Sequence, residues 1–547
     1  MHDLVIRNAL LLDGLGSKPV HGDLAVAHGR ISEIGKSLSG KQVLDACGLA
    51  LMPGIIDNHT HYDAQITWDP LVSPSSALGV TTAIIGNCGF TIAPCRPADR
   101  ELVMKNLTQV EGMSLEVLRA GVRWEFETIA QYFDMLERRG AAINIAGFVG
   151  HSSLRTYVMG ADAPKRAATK DEVARMRALL LEGMKAGAIG FATSTSPAHN
   201  GHGGLPMPSR LADDNELREL AGALQEAGRG VFMLTKGGHT KMPFLEELAA
   251  ASGRPVVVAA LLHNSTSPRA VFDDLDAIAQ ANARGRRLAG AISCCPLSMD
   301  FTLHSPYTFE GLESWQPALP LQGDAYEAKL KEMAFRDAVR AELARPAHFR
   351  LFNGQWDQVE VVESASKDVE QRSIGELARA AGKDPLDFML DLALGEKLDT
   401  VFNAMLLNSD QGAVGEMLRH PASLVSLSDA GAHLTFFNDA GFGLHLLGHW
   451  VRERSALTLE DAARRLTSAS TQLFGLRGRG ALKPGYAADL MLFDPAKVGR
   501  GPKQRVCDLP GGHARLTTAA LGLHGVWVNG ISDLRSLPGR VLREFSA

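Results

Sequence analysis

The feature that most constrains the fold is a repeated alternation, between residues 53 and 479, of short apolar runs and longer amphipathic segments. Runs such as VTTAIIGNC and PVVVAALLH give way to polar residues, and helical patterns such as DEVARMRALLLEGMKAG follow. This alternation is typical of βα units that close on a parallel sheet. Eight candidate strands can be counted, which predicts an α/β chain with a (β/α)₈ barrel.

Polar residues mark the ends of these candidate strands. The strands end near His61, Cys88, His151, Ser194, Lys236, His263, Pro296 and Asp429. In a barrel of this kind the catalytic groups lie at the C-terminal ends of the strands. The positions of the polar residues therefore predict a functional site at one face of the barrel.

The two ends of the chain differ from the barrel region. Residues 1–52 and 480–547 contain short alternating runs with Gly-containing turns, which predict a small β-sandwich built from both ends. The barrel itself is expected over 53–479. A long excursion over about 302–420 separates the seventh and eighth candidate strands, and we expect it to form a lid.

Charge and composition exclude several classes of partner. The chain has 56 Lys and Arg against 61 Asp and Glu, without long single-sign blocks, which argues against nucleic acid. Its first residues lack the basic region of a signal peptide, and no stretch approaches the roughly 20 apolar residues of a membrane span. The six sparse cysteines fit a reducing compartment. We expect a cytoplasmic protein with a small-molecule ligand and no membrane partner, and size leaves a homo-oligomer open.

The strongest site signal is GIIDNHTHYD, which contains His59 and His61. Two residues apart at the end of a strand, their imidazoles point to the same face. Isolated histidines are more often packed or surface residues, but the preceding Pro53-Gly54 and the polar strand ends downstream favour a chelating pair. Asp429 in VSLSDAGAH ends the eighth candidate strand, a weaker signal because Asp also caps helices.

The segments MPGIIDNHTHYD, SLSDAGAH and RGALKPGYAADLMLFDP resemble the amidohydrolase superfamily, and GVTTAIIGNCGF resembles its N-acyl-D-amino-acid deacylase branch. The resemblance covers nearly the whole chain and implies a barrel that carries one or two divalent metals, usually zinc. It implies metal ligands at Cys88 and His263 beside His59 and His61, with Asp429 near the metal as general base. A thiolate is a good zinc ligand, although an inert buried thiol is the ordinary alternative.

Lys236 in VFMLTKGGH departs from the deacylase pattern, which has a histidine ligand at that position. A protonated lysine cannot bind a cation, so we consider a carboxylated Lys236 whose carbamate bridges two metals. Such lysines usually lie on the fourth strand, which counts against this interpretation. The alternatives are an amine at Lys236 that polarises the substrate, or His239 as the ligand.

The residues expected to hold a substrate carboxylate also differ. Asn264 follows the sixth-strand histidine where the deacylases have a basic residue, and Cys294-Cys295-Pro296 replaces a tyrosine pair. Asn264 and Arg155, the latter in GHSSLRT, are the candidate substrate contacts in this chain. These departures put a standard N-acyl-D-amino acid substrate in doubt.

The reaction predicted from the resemblance is hydrolysis of a C–N amide bond. A bound metal lowers the pKa of water, Asp429 takes the proton and later gives it to the leaving nitrogen, and His151 assists from the third strand end. A structural hydrogen bond is the alternative role for His151. Two other functions stay open: a cyclic amide, carbamate or lactone hydrolase with the same site, and a catalytically silent barrel that serves as a scaffold.

Overall fold

The computed structural model describes residues 1–306, 308–345 and 350–546, with the side chains of residues 109 and 110 excluded. The chain divides into two compact units. The first unit comprises Met1–Leu261, Asp274–Cys294 and Met417–Ala547. The second unit comprises Leu262–Asp273 and Cys295–Glu416.

A parallel sheet of eight strands forms the centre of the first unit. Its strands are β1 (Ile55–Asp57), β2 (Val80–Ile85), β3 (Asn144–Gly150), β4 (Gly190–Ser194), β5 (Val231–Thr235), β6 (Val256–Leu261), β7 (Leu288–Ile292) and β8 (Ser423–Val425). Each strand pairs with the next along the chain. A parallel bridge from Thr60 to Ala430 joins the segments after β1 and β8. The predicted (β/α)₈ barrel is confirmed.

Helices follow the barrel strands of the first unit. They span Arg100–Val110, Leu115–Gly121, Ile129–Arg139, His151–Met159, Lys170–Lys185, Asp214–Ala227, Met242–Ser252, Phe442–His445, Leu459–Leu466 and Ser468–Phe474, with a π-helix over Leu446–Glu453. The helix Ala270–Ala283 begins in the second unit and ends in the first. Thr128 and Thr169 each begin a helix with a capping box, a motif in which the cap side chain contributes about 1 kcal/mol. Among the helices of the described residues, none has both the length and the apolar character that a bilayer crossing requires.

Both chain ends contribute to one further sheet of the first unit. Its strands are His2–Leu11, Val20–Ala27, Arg30–Gly35, Gly40–Asp45, Ala50–Pro53, Leu490–Phe493 and Leu523–Trp527. Ile6, Leu24, Leu51, Leu490 and Trp527 pack into its buried core. A separate antiparallel pair is formed by Gly499–Leu509 and His513–Leu521. The sequence predicted a small β structure from both ends, and the exact division at residues 52 and 480 stays a prediction.

The second unit has its own sheet and its own core. Its antiparallel strands are Leu297–Phe301, Val401–Leu407 and Val359–Glu363, with Val401–Leu407 in the middle. Its helices are Gly323–Lys331, Met333–Leu343, Ile374–Ala381 and Pro385–Gly395, and Gln411–Arg419 begins in it. Phe309 packs between Phe301 and Trp315 in an aromatic core. The predicted excursion over 302–420 falls mostly in this unit, and its function as a lid stays a prediction.

Candidate metal centre

Three residues on the segments after β1 and β2 bring metal-ligating atoms together. His59, His61 and Cys88 are buried, and one ligand atom of each lies within 4.8 Å of the others. His59 Nε2 is 3.5 Å from Cys88 Sγ. The two imidazole rings lie side by side, with 5.3 Å between their centroids, and their service as a metal-binding pair stays a prediction. The described part of the chain contains no second group of this kind.

A tight turn aims Cys88 at the histidines. Cys88 has a φ of 56°, in the left-handed region, and lies between Gly86 and Gly89, which also have positive φ. A Cβ added to Gly89 would lie 2.5 Å from the carbonyl oxygen of Ala192. The sequence GNCG is therefore needed for the backbone to pass beside β4 and turn the thiol inward.

Asp429 joins this cluster from the segment after β8. Its Oδ1 is 3.3 Å from His59 Nε2 and 3.6 Å from His61 Nε2. The backbone N–H of His61 donates to the carbonyl of Ala430 at 2.8 Å, and Ser428 Oγ donates to Asp57 Oδ2 at 2.7 Å. These bonds fix the aspartate beside both imidazoles. About a quarter of its side chain, 23%, stays exposed, so Asp429 is reachable from the cavity.

The protonation states of His59 and Asp429 suit a cation. His61 would have to lose a proton to bind one, because burial opposes its charge but Glu111 and Asp429 raise its pKa well above the usual value. Burial lowers the pKa of His59 to about 4, which leaves a neutral imidazole with a lone pair. Burial raises the pKa of Asp429, but the contact with the charged His61 lowers it below its usual range overall. Burial raises the pKa of the Cys88 thiol, so its thiolate needs a positive partner. Two imidazoles, a thiolate and a carboxylate form a donor set that fits zinc.

The cavity around these residues contains several groups that the sequence analysis did not identify. It is lined by His59, His61, Cys88, Phe90, Glu111, His199, Thr235, Ala260, Leu427, Asp429 and His433. His433 belongs to the same SLSDAGAH segment as Asp429, which could have drawn attention to it. Glu111 follows a helix and His199 lies in a loop, so no strand-end pattern marks either of them.

His199 is a neutral imidazole at the wall of the cavity. Its Nδ1 is 2.7 Å from Ser194 Oγ, at the end of β4. Its ring meets the edge of Phe90 at 5.0 Å between centroids, and Phe90 in turn stacks on His61. Burial lowers the pKa of His199 to about 3. The imidazole is therefore held in place without a charge, and it can exchange a hydrogen bond with a neutral or anionic group.

The sequence model of the amidohydrolase family matches residues 42–530. The chain belongs to the amidohydrolase family. It is 29% identical over 543 residues to an N-acyl-D-aspartate deacylase from Alcaligenes xylosoxydans xylosoxydans, covering 96% of this chain and 91% of that protein. A D-aminoacylase from the same organism is 28% identical over 536 residues, covering 96% and 93%.

A solved structure of N-acyl-D-glutamate deacylase from Bordetella bronchiseptica, complexed with zinc and a phosphonate inhibitor that mimics the tetrahedral intermediate, matches this amidohydrolase with a TM-score of 0.67. The match covers 99% of this chain and 100% of the other at 25% identity. A D-aminoacylase structure at 24% identity and a TM-score of 0.66 supports the fold alone. The resemblance to the deacylase branch is confirmed.

Two predicted residues of this amidohydrolase lie in a buried ion network rather than at the cavity wall. His151 Nε2 is 2.8 Å from Glu216 Oε1 and its Nδ1 is 2.7 Å from Thr193 Oγ1. Arg155 donates to both oxygens of Glu216 at 2.6 and 2.7 Å. The side chains of His151, Arg155 and Glu216 are at most 1% exposed, and burial lowers the pKa of His151. A catalytic His151 and a substrate-binding Arg155 stay predictions, and the contacts favour structural roles.

Lys236 lies just after β5 and faces an acidic partner. Its Nζ is in close contact with Asp274 Oδ2, and 28% of its side chain is exposed. Neither Lys236 nor His239, the alternative ligand, lines the cavity. The carbamate at Lys236 stays a prediction, and the ion pair with Asp274 is the arrangement that it would have to replace.

His263 and Asn264 belong to the second unit. The backbone N–H of His263 donates to Asn408 Oδ1 at 2.7 Å, and its Nδ1 is buried without a hydrogen-bond partner in the described part of the chain. Asn264 Oδ1 accepts from the backbone N–H and the hydroxyl of Thr266 at 2.9 and 2.8 Å. Metal binding by His263 and substrate binding by Asn264 stay predictions.

Proposed function

We propose that this amidohydrolase cleaves the amide bond of an N-acyl amino acid, with N-acyl-D-amino acids as the first candidates. The observation that carries the proposal is the cluster of His59, His61, Cys88 and Asp429 at the ends of β1, β2 and β8. The relatives that match nearly the whole chain are deacylases of this kind. Together these support a hydrolase of C–N bonds other than peptide bonds.

His59, His61 and Cys88 would hold a zinc ion, with Asp429 beside it, and a second ion is compatible with the proposal. When bound, zinc lowers the pKa of a water molecule and polarises a carbonyl group. The structure of the relative from Bordetella bronchiseptica was determined with zinc, which supports this choice of ion.

The chain's own groups then move a proton and shape the cavity. Asp429, ionised at neutral pH by its histidine neighbours, accepts a proton from the attacking water and returns it to the leaving nitrogen. Phe90 and Leu427 supply apolar wall around this exchange. Imidazole N–H groups of His199 and His433 are available to stabilise charge on the carbonyl oxygen.

One observation favours the second candidate, a hydrolase of uncharged cyclic amides, carbamates or lactones. Among the described residues, no Lys or Arg lines the cavity. A substrate carboxylate would therefore have to bind to the imidazoles of the lining or to a cationic side chain from outside it. A neutral substrate needs no such partner.

Assays of the full chain loaded with zinc test the proposal. N-acetyl forms of D- and L-aspartate, glutamate, methionine and leucine are compared with a hydantoin, a dihydropyrimidine and a lactone. We expect hydrolysis of at least one D-enantiomer, with its L-enantiomer much slower and the Asp429→Asn variant nearly inactive. Hydrolysis of the cyclic substrates alone would replace the proposal by the second candidate. Zinc binding without any hydrolysis would leave a silent scaffold.

We also propose a cytoplasmic location and leave room for a homo-oligomer. In the described part of the chain Cys47, Cys88, Cys95, Cys294 and Cys507 form no disulfide bond, which fits a reducing compartment. Cell fractionation tests the location, and light scattering of the purified chain tests the oligomeric state. Recovery in a secreted or periplasmic fraction would contradict the first statement.

A further inference from the structure

Glu111 carries a buried carboxylate that lacks an ordinary partner. Its side chain is 3% exposed, and neither oxygen has a hydrogen-bond partner among the described residues. The nearest cationic group is His61, whose Nδ1 lies 3.1 Å from Glu111 Oε1 without the alignment of a hydrogen bond. Burial of a carboxylate whose one close partner is an imidazole is costly, so this position calls for a function that offsets the cost.

The two ring nitrogens of His61 face different groups. Nδ1 faces Glu111, whereas Nε2 lies 3.6 Å from Asp429 Oδ1 on the side of the metal-ligating cluster. A histidine that binds a metal through one nitrogen commonly donates the other N–H to a carboxylate. That arrangement fixes the tautomer and ring orientation and makes the ligating nitrogen more basic.

The backbone holds Glu111 in this place from both sides. Its N–H donates to the carbonyl of Leu107 at the end of helix Arg100–Val110. Its own carbonyl accepts a close hydrogen bond from the N–H of His433, four residues after Asp429. At the next residue, a Cβ added to Gly112 would lie 2.7 Å from the ring of Phe436. Glu111 is thus fixed to the same segment that presents Asp429.

We propose that Glu111 is a positioning residue for the metal centre: its carboxylate accepts the Nδ1–H of His61 and leaves Nε2 as the electron-pair donor to the ion. An ion at Nε2 would leave Nδ1 as the protonated nitrogen, which is the one that faces Glu111. Glu111 acts through His61 rather than as a ligand, because the described ligand group contains only His59, His61 and Cys88. The inference rests on the proposed function only for the presence of an ion, and it does not require hydrolysis.

The experiment compares zinc affinity in purified full-length variants by competition with a chromogenic chelator. We expect Glu111→Ala to weaken zinc binding by about 10- to 100-fold. Glu111→Gln, which keeps an acceptor oxygen without the charge, should fall between Glu111→Ala and the wild type. The matched control is Glu101→Gln on the helix that precedes Glu111, because the side chain of Glu101 is 41% exposed and paired with Arg119. That control should bind zinc as the wild type does.

Cobalt(II) provides a second readout that does not depend on activity. Cys88 should give a thiolate-to-cobalt absorption band in the wild type and in Glu111→Gln, with altered ligand-field bands in the variant because a neutral amide oxygen accepts the Nδ1–H of His61 more weakly than a carboxylate does. The Cys88→Ala variant should lose the thiolate band. Identical ligand-field spectra in Glu111→Gln and the wild type would contradict the inference.

Thermal unfolding of the metal-free variants separates positioning from folding. Weaker zinc binding with an unchanged melting temperature of the metal-free chain supports the inference. A lower melting temperature with unchanged zinc affinity overturns it, and Glu111→Gln decides the matter if Glu111→Ala does not fold. Zinc affinity that depends on Glu111 in a chain that hydrolyses nothing would keep this inference and remove the proposed function.

Discussion

His59 Nε2 lies 3.3 Å from Asp429 Oδ1, although His59 follows the first barrel strand and Asp429 follows the eighth. The bridge from Thr60 to Ala430 closes the barrel at this point and makes the contact. The candidate metal ligand His59 and the proposed proton acceptor Asp429 therefore lie where the first and last strands close the barrel. Because the two functions belong to different residues, substitutions can test metal binding and proton transfer separately.

Replacement of Asp429 by Asn should remove most turnover and keep the ion. The amide cannot accept a proton, and loss of a general base costs about 10²- to 10⁴-fold in kcat. His59, His61 and Cys88 remain in place to hold zinc. Elemental analysis and kcat are measured on the same preparation. Activity of Asp429→Asn within a few-fold of the wild type would exclude Asp429 as the base.

Replacement of Cys88 by Ala should weaken zinc binding at least tenfold, because the only thiolate of the cluster is removed. Thr235 Oγ1, 3.1 Å from Cys88 Sγ, would then face an empty volume. Chelator competition measures the affinity. The matched control is Cys95→Ala, since Cys95 is also buried but lies outside the cluster, and burial raises the pKa of its thiol to about 12. Equal affinities in the two variants would show that Cys88 only packs.

Replacement of Arg155 by Met should act on stability rather than on substrate binding. The change leaves Glu216 buried with one cationic neighbour fewer, and breaking a buried ion pair costs about 3–5 kcal/mol. The expected result is a lower melting temperature with an unchanged KM. A raised KM at an unchanged melting temperature would restore Arg155 as a substrate contact.

Lys236 should be found as an unmodified amine. A carbamate would carry a negative charge and would repel Asp274, which now contacts the Lys236 ammonium. Mass spectrometry of the intact chain under non-acidic conditions, with and without added bicarbonate, measures the adduct. An added CO₂ on the Lys236 peptide, lost together with zinc, would instead establish the bridging carbamate.

Because His445 is held without a charge, the folded protein should become less stable in mild acid. Burial, Arg500 and His449 lower the pKa of His445 to about 3, whereas the unfolded chain takes up this proton near the ordinary value of 6.5. The unfolded state thus binds more protons between pH 6.5 and 3, and stability falls as the pH falls through this window. From pH 7 to 5 the loss amounts to about 2 kcal/mol for one fully shifted group.

The measurement for His445 is the melting temperature at pH 7 and pH 5 in the wild type and in His445→Gln. The variant should lose less stability on acidification than the wild type does. His513→Gln is the control, because its side chain is 40% exposed. Equal acid sensitivity of the wild type and His445→Gln would contradict the lowered pKa.

Local patterns in the sequence were enough to predict the barrel and the histidine pair. Strand and helix periodicities repeat along the chain, and residues two apart on an extended segment share a face whatever surrounds them. Cys88 followed from its place at a strand end within a family motif. These signals come from residues that are close together in the sequence, so they can be recognised without the tertiary structure.

The strand-end position of a residue did not determine where its side chain points. His151 is the first residue of a helix directly after β3, and its ring turns to Glu216, which lies on another helix. Lys236 likewise contacts Asp274, which no nearby residue could indicate. Glu111 and His199 reach the cavity from a helix end and a loop, where no periodicity marks them.

The sequence by itself determined the barrel, the contribution of both chain ends to one sheet, and the presence of His59, His61, Cys88 and Asp429 at strand ends. Only the tertiary structure decided which charged groups pair with each other, because a buried charge takes whichever partner the packing of distant helices brings within hydrogen-bond distance. Arg155 is committed to Glu216 for this reason, and Glu111 is left facing His61.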